Sequence, residues 1–554
     1  MMRSRWYFNL MLSLVLLLAG MALGCETKTP PPTEVPVVDK CLAASKAGRG
    51  KQEIHPEYKD LMYIEGQVIV SGNPAQIGAV TEELSQTYKL ALPLLEEFPL
   101  SDGMAIQLYE IPENQTPEYE WVEWVTCEIN QRGKGLGVVA DPNYHLSPAG
   151  WAGGGSPWTQ NGDWAEGLPG GGLGEAPGAD FRTQWAFGSA GIHLFDSAGD
   201  HRTVPEYMGQ GVRIGVFDSS PFPDQGETLA ISLSITQTVT VTKSEKSFQK
   251  LMGDNNVEPS EAGDDLTVWH FDLIEAPTCP GNDLEDRDIS NHGLFVAGLA
   301  HTVAPASEIY LVRVLENDGC GDLFSISQGI ELFMHEMLKG NKSEPIVINL
   351  SLGVHQPPEP TTLGLPSEVV SLQRTVQNAI DHGAVVVAAA GNDSYDKLVP
   401  SEMEIPASDR RVIGVAASNS ERGRGCFSNE GDVAAPGGNG FEGAEDRCEV
   451  PDMNSCQQFD LCLIGPIYKP YKNEPQYAYW VGTSFAAPLV SGLTALTIER
   501  EGIPAIGPEV AATIRAKITE GACSPVGSPH YLGAGIINLP HTLYDDHLCP
   551  TPMP

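Results

Sequence analysis

The chain has 554 residues, 41% of them hydrophobic, so it can bury a large core and form two or more domains. Its 72 acidic and 33 basic residues give a net charge of −39 at pH 7. So acidic a chain repels phosphate backbones, which argues against nucleic acid as a partner.

The N-terminus predicts export. Arg3 and Arg5 precede the apolar run from Leu10 to Leu18, and small residues then lead to Cys25. This layout is typical of a secretory signal peptide over residues 1–24 and not of a membrane-spanning helix. The junction MALGC is similar to a bacterial lipobox, which predicts lipidation of Cys25 and a precursor anchored to a membrane of the cell envelope. An ordinary signal peptide is the alternative.

Cysteine usage agrees with an exported protein. The chain has 11 cysteines, and a lipidated Cys25 would leave an even number in an oxidising compartment. Their order suggests pairing within three groups, namely Cys279 with Cys320, Cys523 with Cys549, and the four cysteines Cys426, Cys448, Cys456 and Cys462. The last group lacks paired C-x-x-C spacing, which disfavours a metal site. Connectivity cannot be derived from the sequence.

Two segments precede the largest part of the chain. Residues 25–58 are predicted to form a tether, in which the proline-rich stretch ETKTPPPTEVPVV follows Cys25. Residues 59–147 are predicted to form a small α+β domain of the split β-α-β type. The predicted elements are a strand in GQVIVSG, a helix after Pro74, a strand in MAIQLYEI, a helix in TPEYEWVEWVTCEINQ and a strand in GLGVVADPNYHL.

Residues 148–181 are so rich in glycine and proline that we expect an exposed connector, easily cut. From residue 182 to 545 short apolar runs alternate with helical stretches. The runs VRIGVFD, EIYLVRVL, PIVINLSLG, AVVVAAAGN and RVIGVAAS are typical of strands buried on both faces of a parallel sheet. The predicted class is therefore α/β, with a mostly parallel central sheet covered by helices. The alternating TLAISLSITQTVTVT predicts an inserted hairpin.

Polar residues stand at the ends of these strands. Asp218 ends VRIGVFD, Asn392 ends AVVVAAAGN, and Ser484 follows YAYWVG, while His292 opens the small-residue helix HGLFVAGLA. Each alone has an ordinary explanation as a turn former or helix cap. Sites in parallel sheets gather at the carboxyl ends of the strands, so we expect these four residues to converge on one crevice.

The segments FD, NHGLFVAG, AAAGN and GTSFAAP, in this order, closely resemble those of subtilisin-like serine proteases. The resemblance implies a three-layer subtilisin-like domain and a serine endopeptidase. It implies that Ser484 is the nucleophile and His292 its general base, while Asp218 orients the imidazole. Asn392 would donate its amide to the oxyanion. No cofactor is needed for such chemistry, and structural calcium occurs in many relatives.

The same resemblance extends to substrate binding. DGCGDL and NLSLG are similar to the segments that hold a substrate peptide as an added strand, with Gly321, Leu352 and Gly353 as its ladder partners. Protein or peptide substrates are implied. Side-chain selectivity would come from the pocket between SLGV and AAAGN, and the sequence does not mark this pocket as selective for basic or acidic residues.

The unit before the linker resembles the family's propeptide, with VVADPNYHL similar to its final strand. This implies an intramolecular inhibitor, removed by a self-cut between about His145 and Phe181. The cut would free the catalytic domain from the anchor unless Cys41 or Cys127 forms a disulfide across it.

Some residues depart from the family pattern, and alternatives follow. Ser220 replaces the usual glycine after the aspartate motif, while Leu294 and Phe295 replace the usual third and fourth residues of the histidine motif. A binding lipoprotein with impaired catalysis is the main alternative. An acid-adapted relative and a transpeptidase are further alternatives. The acidic GNDLEDRD before His292 would suit calcium, but its spacing favours a solvated loop.

Overall fold

The structure is a computed structural model that describes residues 41, 63–111, 121–148, 175–195, 206–221, 229–234, 237–244, 266–272, 289–339, 344–354, 368–394, 399–442, 448–449, 451, 453–468, 476–502, 507–524, 530–544 and 549. The predicted signal peptide, Cys25, the acidic GNDLEDRD and most of the predicted linker lie outside these residues. Within them, no helix is long and apolar enough to cross a membrane.

Four strands and two helices form an N-terminal unit. Their bounds are β1 (Tyr63–Gly72), α1 (Pro74–Tyr88), β2 (Leu94–Pro99), β3 (Ala105–Glu110), α2 (Trp121–Gly133) and β4 (Val139–Pro148). Strand β1 pairs antiparallel with β3 and with β4, and β2 pairs with β3 at the edge. Successive side chains of a strand point to opposite faces. Val68 and Val70 therefore join the unit's own core, whereas Ile69 joins the core of the larger domain.

Strand β2 is not predicted by the sequence pattern. Its residues LLEEFP have no regular alternation, and Leu94 and Leu95 are both about half exposed. An edge strand that buries so little has no clear hydrophobic pattern.

The larger domain is built on a nine-stranded sheet in the order β15-β14-β13-β11-β5-β9-β8-β7-β6. The strands from the fifth to the fifteenth are β5 (Arg213–Asp218), β6 (Leu229–Ser234), β7 (Gln237–Ser244), β8 (Thr267–Asp272), β9 (Glu308–Arg313), β10 (Gly321–Asp322), β11 (Ile346–Leu350), β12 (Leu352–Val354), β13 (Val385–Ala389), β14 (Ile413–Ser418) and β15 (Val433–Pro436). Every neighbouring pair in the nine-stranded sheet is parallel except β6 with β7, the hairpin. The predicted α/β class with a mostly parallel sheet is confirmed.

Helices cover this sheet on both faces. Their bounds are α3 (His292–Val303), α4 (Leu323–Leu338), α5 (Val370–Asp381), α6 (Met453–Phe459), α7 (Thr483–Glu501), α8 (Glu509–Glu520) and α9 (Leu539–Tyr544). Gly215 of β5 faces Phe333 of α4. On the neighbouring strand β11, Ile348 pairs with Gly215, so the next residue, Asn349, points to the opposite face of the sheet. There Asn349 accepts a hydrogen bond from Ser491 of α7 at 2.9 Å. The domain therefore has three layers, with α4 and α7 on opposite sides.

The remaining strands are β16 (Phe441–Glu442), β17 (Cys448–Glu449), β18 (Leu463–Ile467) and β19 (Gln476–Trp480). They form two antiparallel pairs, β16 with β17 and β18 with β19. Pro466 of β18 packs against Gly298 of α3, where a larger residue would clash. Strand β19 leads directly to α7.

The N-terminal unit packs on the larger domain through α4 and α5. Asp141 accepts hydrogen bonds from the backbone N–H groups of Ser371, at 2.7 Å, and Val370, at 3.3 Å, in the first turn of α5. Asn143 accepts one from Phe324 N at 3.0 Å in the first turn of α4. The first N–H groups of a helix have no partner within the helix. Two side chains of β4 therefore accept hydrogen bonds from the unpaired N–H groups at the starts of α4 and α5.

The disulfides follow the predicted groups. Cys523 bonds to Cys549, and the group of four forms the pairs Cys426–Cys448 and Cys456–Cys462. Those predictions are confirmed, while Cys279 lies outside the described residues. Cys41 bonds to Cys127, so this disulfide joins two residues that both precede β4.

Candidate active site

Asp218 and His292 are joined at the carboxyl end of β5. The His292 Nδ1 lies 2.8 Å from Asp218 Oδ1 and 2.9 Å from Oδ2. The N–H of Ser219 donates to Asp218 Oδ1 at 2.7 Å. Asp218 is fully buried and His292 is 2% exposed. The carboxylate therefore holds one ring nitrogen of the imidazole in a site sheltered from water.

The packing of α3 accommodates the residues that depart from the family pattern. A methyl group at Gly293 would lie 2.8 Å from Asp218 Cβ and would overlap the Ser219 carbonyl, so only glycine lets the helix approach this closely. Leu294 and Phe295 are fully buried. They therefore contribute to the core without displacing His292 from Asp218.

Aromatic side chains on either side of Ser484 contact the imidazole. The His292 ring lies 5.3 Å from Trp480 and 5.1 Å from Phe485, measured between ring centroids. Phe295 packs against both of these rings, at 5.7 Å and 4.6 Å. This wall fixes the imidazole beside the start of α7, where Ser484 lies.

Ser484 occupies the first turn of α7 after a turn that needs glycine, because Gly482 has φ 152°. Its hydroxyl donates to the carbonyl of Ser351 at 3.1 Å, and the Ser351 hydroxyl donates back to the Ser484 carbonyl at 2.8 Å. Among the described residues, no hydrogen bond joins the Ser484 hydroxyl to His292. The structure thus brings Ser484 to the same crevice while its hydroxyl has another acceptor.

The Asn392 amide has a defined orientation. Its Oδ1 accepts from both the N–H and the hydroxyl of Thr483, each at 3.0 Å. The Thr483 hydroxyl in turn accepts from Gly391 N at 3.2 Å. Nδ2 is therefore directed toward Gly482, where an added methyl would lie 3.6 Å from it. No sequence motif marks Thr483 for this orienting role, although it directly precedes Ser484.

Strand β4 of the N-terminal unit lies between the two predicted substrate segments. Leu146 pairs with Gly321 of β10 on one side and Val354 of β12 on the other, in antiparallel ladders. Ser147 pairs with Gly353 and Pro148 with Leu352. A chain segment therefore occupies the position in which a substrate strand was predicted.

One cluster of potential metal ligands lies near the C-terminal end of the described residues. Among the described residues, Cys523, His541 and Cys549 lie close enough to hold a metal ion. The two cysteines are bonded to each other, which removes both thiolates as ligands.

Comparisons with known proteins give a consistent result. The model of the Subtilase family (Peptidase_S8) matches residues 262–535. Subtilisin of Bacillus pumilus is 30% identical over 265 residues, which cover 46% of this chain and 77% of that protein. The subtilisin-like protease PopC of Myxococcus xanthus is 28% identical over 229 residues, covering 40% of this chain and 44% of PopC. The chain spans about half the length of the first curated relatives it matches.

Among solved structures, one similar chain is fervidolysin from Fervidobacterium pennivorans, described as a keratinolytic enzyme related to subtilisin. It superposes with a TM-score of 0.48 at 17% identity, covering 87% of this chain and 61% of fervidolysin.

Proposed function

Because the chain belongs to the subtilase family, we propose that it is an exported serine endopeptidase that hydrolyses peptide bonds through an acyl-enzyme intermediate. The observation that carries the proposal is the Asp218–His292 hydrogen bond beside the helix start that holds Ser484. Subtilases need no cofactor for catalysis, and the side chains named above suffice for each step below.

In the first step the Ser484 hydroxyl exchanges its hydrogen bond to the Ser351 carbonyl for one to His292 Nε2. Hydrogen bonds between base and nucleophile often tighten only with substrate bound. His292 takes the proton as Ser484 Oγ attacks the substrate carbonyl carbon. Asp218 holds the other imidazole nitrogen and stabilises the charged ring.

The negative charge that develops on the carbonyl oxygen needs donors. The backbone N–H of Ser484 and the Nδ2 of Asn392 serve as these donors, and the positive end of the α7 dipole adds to them. His292 then gives its proton to the leaving amine as the peptide bond breaks. Water, deprotonated by His292, hydrolyses the ester and restores Ser484.

The position of β4 supports an inhibitory role for the N-terminal unit. Its ladders with Gly321, Leu352 and Gly353 would exclude a substrate strand from the same backbone groups. We therefore propose that the chain is made as a zymogen and that residues 59–147 are its inhibitor.

The mature N-terminus tests the self-cut. Strand β4 runs antiparallel to β12, so its carboxyl end points toward Ser351, whose carbonyl accepts a hydrogen bond from Ser484. A strand advances about 3.3 Å per residue, so we expect the cut within about three residues after Pro148. Mass spectrometry of the mature N-terminus would measure this. A terminus elsewhere between His145 and Phe181 would contradict this place of the cut, and a terminus outside that range would contradict the self-cut itself.

This cut would also release the enzyme from its anchor. The Cys41–Cys127 bond lies wholly before the cut, and none of the other disulfides between described residues crosses it. The proposed lipid on Cys25 would then stay with the N-terminal unit. Cell fractionation should find the precursor in the membrane and the mature domain outside it.

Release of the inhibitor is expected to depend on Asp141. Burial raises its pKa to about 6, so the docked unit binds a proton more tightly than the released unit, whose carboxyl is expected to have the ordinary value near 3.9. Docking is therefore strongest below about pH 4 and weakens by up to about 3 kcal/mol as pH rises through 6. Asp141→Asn should remove this dependence.

Burial lowers the pKa of His145, so its protonation opposes docking as pH falls and acts against Asp141. The comparison must therefore be made between variants at each pH. The retention of the cut unit by wild type and by Asp141→Asn, followed by gel filtration, should differ more at pH 7 than at pH 4. An equal difference at both would contradict the role of Asp141.

A further inference from the structure

A glutamate closes the pocket between the segments 351–354 and 388–392. The backbone N–H of Glu404 donates to the Ala390 carbonyl at 2.9 Å, and the next residue, Ile405, accepts from Val354 N at 3.0 Å. The segment that carries Glu404 is thus hydrogen-bonded to both walls of the pocket, so the glutamate has a fixed place at its floor.

The side chain of Glu404 reaches between the two walls. A methyl group at Gly353 would overlap its carboxylate, and one at Gly391 would lie 2.7 Å from its Cδ. Gly353 is the ladder partner of Ser147, and Gly391 directly precedes Asn392. The carboxyl group therefore lies between the ladder that holds a substrate strand and the residue proposed to bind the oxyanion.

This carboxyl has no cation partner in the part of the chain that the structure describes. Its Oε2 is inaccessible to solvent and accepts no hydrogen bond from a described residue, although Glu404 as a whole is partly exposed. Burial raises the pKa of Glu404 well above its usual range, and the charge and hydrogen bond of the neighbouring Asp393 raise it further. Two acidic groups thus share this site, and among the described residues no cation pairs with Glu404.

We propose that Glu404, supported by Asp393, makes this pocket bind a lysine or arginine side chain of the substrate. The residue that occupies it is the one directly before the scissile bond, because β4 leads past Leu352 toward Ser351 and Ser484. This inference rests on the proposed peptidase function. It goes beyond that function by naming the class of peptide bond that is cut.

The energetics favour a cation over simple filling of the pocket. An unpaired buried carboxyl is costly, and an apolar residue would fill the same space at lower cost. An ammonium or guanidinium group that enters would pair with the acidic floor and ionise Glu404. A neutral side chain would leave both acidic groups without a positive partner.

The residue after β4 is Ala149, which is not basic. The self-cut within one chain benefits from a high effective concentration, so it does not report the preference for separate substrates. If Glu404 only made the pocket shallower, the pocket would prefer alanine. The experiment must therefore distinguish a shallow pocket from one that binds a cation.

The experiment uses the self-processed enzyme and peptide amides that differ only in the residue before the scissile bond, namely Lys, Arg, Gln, Leu, Ala or Glu. We expect kcat/KM for Lys or Arg to exceed that for Gln by about tenfold or more. Glu404→Gln, which keeps the shape, should remove this ratio while neutral peptides change little. The matched control is Glu402→Gln, an exposed carboxylate two residues away that removes the same charge.

The dependence on pH supplies a second measurement. Ionised Glu404 attracts a cation more strongly than the neutral acid, so the Lys-to-Gln ratio should rise with pH in wild type as Glu404 ionises. Glu404→Gln should not show this rise. Asp393→Asn should shift the rise to lower pH, because it removes the neighbouring negative charge. This second variant keeps the test decisive if Glu404→Gln folds poorly.

The outcomes separate the inference from the proposed function. Preference for alanine in wild type, or the same Lys-to-Gln ratio in wild type and Glu404→Gln, would overturn the inference while leaving a working peptidase. Failure to hydrolyse any peptide, together with failure of Ser484 to react with a serine-directed probe, would overturn both.

Discussion

Ser484→Ala is expected to reduce kcat for peptide hydrolysis by about 10⁶-fold, the size of loss known for the nucleophile of subtilisin itself. The substitution removes the only oxygen at the start of α7 that is proposed to attack the substrate. The precursor should also remain uncut, and a fluorophosphonate probe should label wild type but not the variant.

The matched control for this substitution is Ser491→Ala in the same helix. Ser491 is also fully buried, but its hydroxyl bonds to Asn349 and lies outside the proposed chemistry. It should lose some stability, about 1 kcal/mol for one buried hydrogen bond, and keep its labelling. If wild type itself is not labelled, the chain is better described as a binding lipoprotein that keeps the fold. The Ser484 hydroxyl would then stay hydrogen-bonded to the Ser351 carbonyl and would not act as a nucleophile.

The parallel strands could be predicted from sequence because both faces of the sheet are covered. Each run from VRIGVFD to RVIGVAAS is almost entirely apolar, and each contains a strand of the nine-stranded sheet. Boundaries were less accurate where glycine intervenes. The predicted strand GLGVVADPNYHL begins in the structure at Val139, because Gly135 and Gly137 adopt positive φ in the preceding turn.

The candidate site also contains residues that the sequence predicts and residues that it does not. Asp218, His292, Asn392 and Ser484 could be named from local motifs, since each motif carries its own residue. Their partners could not. Ser351, Thr483 and Glu404 act through contacts made across the chain, and the local pattern SEMEIPAS around Glu404 is typical of a solvated loop. Only packing against Gly353 and Gly391 places that carboxyl at the pocket floor.

The role of Asp218 leads to the second large effect. Asp218→Asn is expected to reduce kcat by about 10⁴-fold without unfolding the protein. The asparagine has the same shape, and its Oδ1 can still accept the Ser219 N–H. Its amide, however, donates a proton toward His292 Nδ1 where the carboxylate accepted one. The imidazole then carries its proton on Nε2, the nitrogen that must accept the proton of Ser484.

A purely structural role for Asp218 would not change the tautomer, so nitrogen NMR of the His292 ring separates the two explanations. Wild type should show the neutral ring protonated on Nδ1, and Asp218→Asn should show it protonated on Nε2. Asp381→Asn, at the exposed end of α5, changes the charge equally and should leave both rate and tautomer unaltered. A loss of rate with the Nδ1 tautomer retained would mean that the Asp218 carboxylate acts through its charge alone, because the orientation of the ring would then be set by its contacts with Trp480 and Phe485.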